Sequence, residues 1–119
     1  MTRNVVEYID TSGRSYFERW FAELNAQAAA RVTTGLYRLE QGNFTNTRSV
    51  GGGVFEYRIH FGPGYRIYFG RDGDTLVVLL TGGTKKRQNA DIQQALKLWD
   101  EYKRRKRQEK SDSGFNQRL

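Results

Sequence analysis

Apolar positions at helical spacing dominate the first third of the chain. After a short β-prone segment at residues 5–9, five large apolar side chains recur three or four positions apart: Tyr16, Phe17, Trp20, Phe21 and Leu24. A second stripe follows Asn25 and comprises Ala29, Val32, Leu36 and Leu39. Such spacing places each set on one face of an α-helix. The pattern therefore predicts a helical hairpin that is capped at its start by Ser12 and ends at Gly42.

In the middle of the chain, apolar residues recur at every second position instead of every third or fourth. Residues 42–53 are polar and glycine-rich without a period, which predicts a loop. Residues 54–61 alternate between apolar and polar side chains, as a half-buried strand does, and the segment Gly62-Pro63-Gly64 predicts a turn into a returning strand at residues 65–69. Residues 75–81 (TLVVLLT) are apolar on both faces, which is typical of a central strand covered on both sides.

A third helix is predicted from about Asn89. Its apolar stripe consists of Ile92, Ala95, Leu96, Trp99 and Tyr102, and it ends in the charge run at residues 103–107. The predicted order β-α-α-β-β-β-α indicates an α+β fold with a mainly antiparallel sheet, an N-terminal helical hairpin and a C-terminal helix. A length of 119 residues suits one domain, which we expect at residues 1–110, followed by a disordered tail at residues 111–119.

The net charge of the chain indicates what kind of molecule it binds. Twenty Lys and Arg residues against thirteen Asp and Glu leave a net charge of +7, which suits nucleic acid or an acidic protein. The chain has no cysteine and a single histidine, His60, so a disulfide framework and a multi-histidine metal site are excluded. No apolar run approaches the length of a membrane span. We therefore expect a cytoplasmic protein without cofactor or metal and without a membrane partner.

The predicted hairpin brings basic side chains together. If Phe61 lies opposite Tyr65, antiparallel pairing sets His60 opposite Arg66 and Arg58 opposite Tyr68. Side chains of directly opposed residues start roughly 5 Å apart, and all four lie on the polar face. Two guanidiniums, an imidazole and a phenol are suited to binding a phosphate. A strand histidine is also common as an ordinary surface residue, and the charge run as a solvated helix end.

This cluster matches the needs of RNA cleavage by the 2′-OH. The reaction requires a base, an acid and cations that stabilise the charge on the five-coordinate phosphorus. Histidine is the residue type that titrates near neutrality, so we take His60, Arg66 and Arg58 as candidate catalytic residues. The candidate substrate-binding residues are Lys85, Lys86, Tyr68 and Arg48. No metal ion is needed for this chemistry.

Three sequence blocks carry a family resemblance. They are GVFEYRI at residues 53–59, GPGYRIY at residues 62–68 and GGTKKRQNADI at residues 82–92. In this order they resemble the HigB-like "addiction module killer protein" branch of the RelE/ParE toxins. The resemblance implies a toxin of a type II toxin–antitoxin module that cleaves mRNA on the ribosome. It also implies a cognate antitoxin as partner, and contact with DNA only as the toxin–antitoxin complex.

The resemblance also assigns roles to individual residues. Arg66 falls on the phosphate-binding arginine of the family, and Arg58 on a basic position of the preceding strand. His60 falls where RelE has a catalytic lysine, and Lys85 or Lys86 falls near a second functional arginine. The base-stacking tyrosine of RelE has no match at its own position, and Tyr68 is the candidate to replace it.

Two other functions fit the same fold and charge. A ParE-like toxin binds and inhibits DNA gyrase without hydrolysing a substrate, and an inactive member binds only its antitoxin and represses the operon. Fold alone does not decide between these functions. The convergence of His60 and Arg66 would favour the nuclease, because a gyrase inhibitor does not need it.

Overall fold

Helices cover both faces of a five-stranded sheet in the computed structural model. The structure describes the backbone of residues 2–117 and the side chains of residues 2–110. The elements are β1 (Asn4–Glu7), α1 (Tyr16–Ala22), α2 (Ala26–Glu40), β2 (Thr47–Gly51), β3 (Val54–Ile59), β4 (Tyr65–Asp72), β5 (Leu76–Thr84), a 3-10 turn (Lys85–Arg87) and α3 (Gln88–Gln117). The predicted tail at residues 111–119 lies outside the described side chains and stays a prediction.

The sheet has the strand order β1-β5-β4-β3-β2. Three neighbouring pairs are antiparallel, and β1 alone runs parallel to its neighbour β5. A mixed α+β fold with a mainly antiparallel sheet and a C-terminal helix is thereby confirmed. The strand β2 corrects the prediction, because it lies in the segment taken as a loop. It is a short edge strand with one apolar side chain larger than glycine, Val50, so it has no apolar alternation that could have revealed it.

Each face of the sheet has its own core. Helices α1 and α2 cover one face, where Phe17 and Val32 pack against Tyr57, Ile67 and Leu79. Helix α3 covers the other face, where the buried residues are Tyr8, Val54, Tyr68, Val78, Leu80, Ala95, Leu98 and Trp99. Strand β5 is buried from Val77 to Gly83, which confirms the central strand predicted from its two apolar faces.

The helix starts differ in part from the prediction. Ser15, not Ser12, caps α1, and its Oγ accepts a hydrogen bond from the Glu18 backbone N–H at 3.0 Å. The Asp10 carboxylate accepts the backbone N–H of Ser12, so that segment is a turn and not a helix start. Asn25 caps α2 as expected from its position at the bend. The buried alanine of α2 is Ala28 rather than Ala29.

Two tryptophans fix the helices to the sheet. The indole of Trp20 lies directly on Gly82 of β5, and the indole of Trp99 lies on Gly70 of β4. A Cβ atom at either glycine would overlap the ring. Each helix thus docks through an aromatic plane on bare backbone, which explains why glycines interrupt two buried strands.

The second half of α3 is bound to the segment that follows β1 and to the last residue of β4. Arg105 donates to the carbonyl oxygen of Ile9 at 2.6 Å, and Tyr102 donates to the carboxylate of Asp72. Lys106 also pairs with Asp72. Within the described part of the chain, no helix is both long enough and apolar enough to cross a membrane.

Candidate functional site

The β3–β4 hairpin sets the geometry of the candidate site. Ile59 pairs with Tyr65, Arg58 with Arg66, and Glu56 with Tyr68. The predicted pairings of His60 with Arg66 and of Arg58 with Tyr68 are therefore wrong by two residues. Side-chain alternation decides only which face a residue occupies, and a shift of two leaves the faces unchanged.

The length of the connecting loop explains the shift. Residues 60–64 all lie outside the two strands, whereas the prediction placed only residues 62–64 in the turn. The loop is closed by a hydrogen bond of 3.0 Å from the Gly64 N–H to the Phe61 carbonyl oxygen. Gly62 and Gly64 have φ angles of 55° and 80°, a region that favours glycine. His60 is consequently a loop residue at the end of β3.

Three cations line up across this end of the sheet, and we name Arg58, Arg66 and Lys85 the basic row. Arg58 and Arg66 are direct cross-strand partners. A Cβ atom built on Gly64 would lie 3.8 Å from Nη1 of Arg66 and 3.6 Å from Cβ of Lys85, so both side chains meet at this turn. Like charges in directly opposed positions repel each other, and a bound anion would relieve that repulsion.

Arg66 is anchored from beneath by Glu56. Glu56 Oε2 lies 3.3 Å from Nε of Arg66, and Glu56 Oε1 lies 2.9 Å from Nε of Arg48. Gln88 and Tyr68 each donate a hydrogen bond to Oε2, at 2.9 Å and 3.1 Å. Glu56 itself is 0% exposed and Arg66 is 6% exposed. The carboxylate therefore forms a buried ion pair with Arg66, although Nε of Arg66 has no hydrogen-bond partner among the described residues.

The sequence pattern placed Glu56 on the correct face but gave it no role. The sequence did contain a signal for such a role: Glu56 lies two positions from Arg58 on the same face of the strand, and a carboxylate among cations commonly forms an ion pair. Burial alone would raise the pKa of Glu56, but hydrogen bonds from Arg48 and Tyr68 and the charges of Arg48 and Arg66 outweigh it. The pKa of Glu56 is lowered, so the group is ionised near neutral pH.

Tyr68 does not occupy the predicted substrate position. Its ring is 0% exposed and packs in the core beneath α3 with Val78, Leu80 and Ala95. Burial, followed by the charge of Glu56, raises the pKa of the phenol, which stays protonated and donates to Glu56. The expectation that Tyr68 contacts a base is thus corrected, because α3 covers the strand that carries it.

The other predicted substrate-binding residues differ in exposure. Lys85 and Lys86 are exposed on the 3-10 turn that follows β5. Arg48 keeps 52% of its side-chain surface exposed while pairing with Glu56. Lys85 adjoins the basic row, and its backbone N–H donates to the Gly64 carbonyl oxygen at 2.9 Å.

His60 lies in a separate cleft between α2 and the end of β3. The cleft has a volume of about 230 Å³, and we name it the basic cleft after its charged lining residues: Arg31, Arg38, Arg58 and His60. Thr34, Asn46 and Tyr57 complete much of the wall. The structure therefore brings Arg58 next to His60 and also opposite Arg66, but it does not set His60 opposite Arg66.

Sequence reasoning missed Arg31 and Arg38. They are seven residues apart, which places them on the same side of α2 two turns apart. That spacing was visible in the sequence, but it carried no meaning until the helix was placed beside the end of β3. Among the residues that the structure describes, no group of three or more His, Cys, Asp or Glu side chains could hold a metal ion.

Asp91 is a half-buried carboxylate on the α3 side. It belongs to the first turn of α3, and its Oδ2 has no hydrogen-bond partner among the described residues. Burial raises the pKa of Asp91, and the charge of Arg87 opposes that shift in part. The carboxylate packs so closely on Gly83 that a Cβ atom there would overlap it. This contact fixes the start of α3 next to the basic row.

These features define a small basic α+β protein with one group of cations, the basic row, at one end of its sheet. Residues 19–103 match the family described as "Phage derived protein Gp49-like (DUF891)". The chain belongs to this family, which is a RelE/toxin-like family associated with the toxins of toxin–antitoxin systems. Membership suggests an antitoxin as a partner.

The chain is also similar to a bacterial protein. An uncharacterised protein of Haemophilus influenzae (strain ATCC 51907 / DSM 11121 / KW20 / Rd) is 43% identical over 86 residues. The matched segment covers 71% of this chain and 87% of the relative. The similarity therefore extends over most of both proteins.

Proposed function

We propose that this protein is the toxin of a type II toxin–antitoxin module and acts as a metal-independent, ribosome-associated mRNA endoribonuclease. The direct pairing of Arg58 with Arg66 carries the proposal, because it places two arginines at opposed positions of neighbouring strands, next to the turn that Lys85 also adjoins. Arginine binds phosphate oxygens through two parallel N–H donors. A phosphodiester at this position would meet several donors at once.

The proposed reaction is attack of a ribose 2′-OH on the adjacent phosphorus. His60 takes the proton of the 2′-OH, and the new bond joins the 2′ oxygen to phosphorus. Arg58 and Arg66 stabilise the charge on the five-coordinate phosphorus. The bond to the 5′ oxygen then breaks, and an ammonium group at Lys85 or Lys86 donates the proton that the leaving oxygen requires.

Glu56 acts in this scheme through Arg66. Its carboxylate holds Nε of Arg66 at 3.3 Å and leaves Nη1 near the Gly64 turn. A guanidinium that is already oriented does not have to reorganise when charge develops on the phosphate. Glu56 and its partners Tyr68, Gln88 and Arg48 are therefore positioning residues. Arg48, which is half exposed, is also a candidate contact for the RNA backbone.

The Arg58→Ala variant provides the sharpest test of the mechanism. Arg58 is exposed and, among the described residues, forms no ion pair or hydrogen bond with Glu56, so the substitution removes no polar partner of the buried carboxylate, unlike Arg66→Ala. Removal of one transition-state contact lowers the rate about a hundredfold or more. We expect a loss of this size in mRNA cleavage on translating ribosomes in the presence of EDTA.

Arg104→Ala is the matched control, because Arg104 is exposed on α3 and pairs only with Asp100. Full cleavage by Arg58→Ala would contradict the role of the basic row, and a strict requirement for divalent ions would contradict the metal-independent mechanism. If transcripts in induced cells stay intact while purified gyrase loses supercoiling activity, the protein is a gyrase inhibitor and not a nuclease.

The cognate antitoxin completes the proposal. A protein partner with acidic or apolar groups would block the basic row and suppress cleavage until it is removed. We propose that the toxin contacts operator DNA only within that complex. Copurification of the product of the adjacent gene, followed by recovery of cleavage after its removal, would test this arrangement.

A further inference from the structure

We infer that the basic cleft is a second phosphate-binding site, in which Arg31 and Arg38 hold the RNA backbone next to the scissile phosphate. This inference rests on the proposed function for the identity of the ligand. It adds two residues of α2 to the RNA-binding surface and assigns them to a phosphate that is not cleaved.

The charge of the cleft is uncompensated. Its charged lining residues are three arginines and a histidine, and no carboxylate lines it. The ion pairs of the described residues involve Arg48, Arg66, Arg104 and Lys106, and thus none of the cleft arginines. Two guanidiniums on one side of α2, Arg31 and Arg38, that line a cleft without a carboxylate favour an anion in the space beside them.

The placement of Arg31 and Arg38 suits this role. The two residues lie on the same side of α2, and Thr34 and Gly35 lie between them in the cleft wall. The guanidinium of Arg31 lies over the ring of Phe61, 4.5 Å from its centroid. A guanidinium that stacks by its face keeps the N–H donors along its edge free for a phosphate.

The wall also contains neutral groups that can hydrogen-bond to a ribose or a phosphate. Asn46 lies at the edge of the cleft, where its backbone carbonyl oxygen accepts a hydrogen bond from the Arg58 backbone N–H at 3.0 Å. The volume of about 230 Å³ suits a phosphate group with part of its sugar. A polar cleft of this size fits a backbone unit better than a helix of a protein partner, which requires an extended apolar groove.

Arg58 connects the cleft to the basic row. It lines the cleft together with His60, and it is also the cross-strand partner of Arg66. An RNA strand that enters the cleft would therefore present its next phosphate to Arg58 and Arg66. The cleft would fix which ribose approaches His60, so it would determine the register of the strand at the cleavage site.

The test compares two double variants of the full chain. Arg31→Ala/Arg38→Ala removes two charges from the cleft, and Arg14→Ala/Arg19→Ala removes two charges from exposed positions outside it. The probe is a short single-stranded RNA with 2′-O-methyl groups, which cannot be cleaved. We expect the cleft variant to bind it at least tenfold more weakly in fluorescence anisotropy, while the control retains nearly full affinity.

Salt dependence gives an independent measure. Loss of one phosphate contact reduces the slope of log K against log salt by about 0.7 for single-stranded nucleic acid. We expect this reduction for the cleft variant only. In Arg31→Lys/Arg38→Lys, which keeps the charge but lacks the paired donors, affinity should recover only in part. Equal losses of affinity in both alanine double variants would overturn the inference, because net charge alone would then explain the binding.

Failure of the cleft and failure of the nuclease can be told apart. Weaker binding of the uncleavable RNA by the cleft variant supports the cleft even if the wild-type protein cleaves no transcript. Undiminished cleavage and binding by the folded cleft variant overturn the cleft while the nuclease proposal stands. If the variant keeps RNA binding but loses the antitoxin, the occupant is a protein and the inference is wrong. Circular dichroism verifies that each variant is folded.

Discussion

The carboxylate of Glu56 lies within bonding distance of four side chains, although none of its surface reaches solvent. Its two oxygens are divided between a half-exposed arginine, Arg48, and a group of three partners that includes the buried Arg66. A buried ion pair is not by itself a strong source of stability, because both charges lose their hydration. Removal of one member is nevertheless costly, since it leaves the other charge buried without a partner.

We expect Glu56→Gln to lower the free energy of unfolding by about 3–5 kcal/mol for this reason. Urea denaturation at pH 7 measures the loss, and Arg104→Ala, which removes only an exposed ion pair, should change stability by less than about 1 kcal/mol. Tyr68→Phe removes a single hydrogen bond to Glu56 and should cost about 1 kcal/mol. Equal stability of Glu56→Gln and the wild type would contradict the role of this carboxylate.

The pH dependence of the same variant has a definite sign. Because the folded pKa of Glu56 is lowered, its contribution to stability is fully present above the ordinary pKa of about 4.3 and is lost as pH falls through the folded value. Unfolding measured between pH 5 and pH 2 should therefore show a smaller loss of stability in Glu56→Gln than in the wild type.

At the scale of elements, the starts of helices could be inferred only in part. Ser12 and Ser15 both precede the first apolar stripe, and the sequence pattern favoured Ser12. The structure assigns the cap to Ser15 because Asp10 holds the backbone of Ser12 and Arg14 in a turn. A carboxylate that accepts two backbone N–H groups competes with helix formation at those residues.

Ser15→Ala should consequently lower the free energy of unfolding by about 1 kcal/mol, the usual value of an N-cap. Ser12→Ala serves as the matched control and should leave stability unchanged, because the Ser12 hydroxyl forms no hydrogen bond with the described residues. Thermal or urea unfolding of the two variants decides between the caps. The reverse order of the two effects would mean that α1 starts earlier than described.

The sequence indicated most strands, but not their register. The two apolar faces of β5 and the alternation of β3 depend on local pattern, which is readable residue by residue. The pairing of Arg58 with Arg66 depends on the number of loop residues, and the five residues 60–64 were indistinguishable from a three-residue turn. The same contrast between local pattern and spatial arrangement applies to the candidate site. Its strand cations were identified, whereas Arg31 and Arg38 depend on how α2 lies beside the end of β3.

For the whole molecule, the net charge of +7 is not evenly spread. The basic row and the basic cleft lie at one end of the sheet. A second group of cations adjoins Asp72 at the far end of β4 and comprises Arg71, Lys103, Lys106, Arg107 and Lys110. Helix α3 begins beside the basic row, and four of its own residues belong to the second group of cations.

RNA binding should therefore depend steeply on salt. An RNA that contacts about four phosphates gives a slope of about −3 in log K against log salt, from about −0.7 for each contact. Anisotropy titrations between low and physiological salt measure the slope for the wild-type protein. Arg58→Ala should reduce its magnitude by about 0.7, the contribution of one contact. A slope near zero would mean that charge does not drive the interaction.

The parallel pairing of β1 with β5 has a consequence for synthesis of the protein. The pairing of Asn4 with Leu76 cannot form until β5 has been synthesised. The hydrogen bond from Arg105 to the carbonyl oxygen of Ile9 requires an even longer chain. Translation proceeds from the N-terminus, so the edge of the sheet can close only after nearly the whole chain has left the ribosome. Lys85 is also made late. A product that terminates before residue 76 thus lacks β5, the strand that pairs with β1, and it also lacks Lys85 of the basic row.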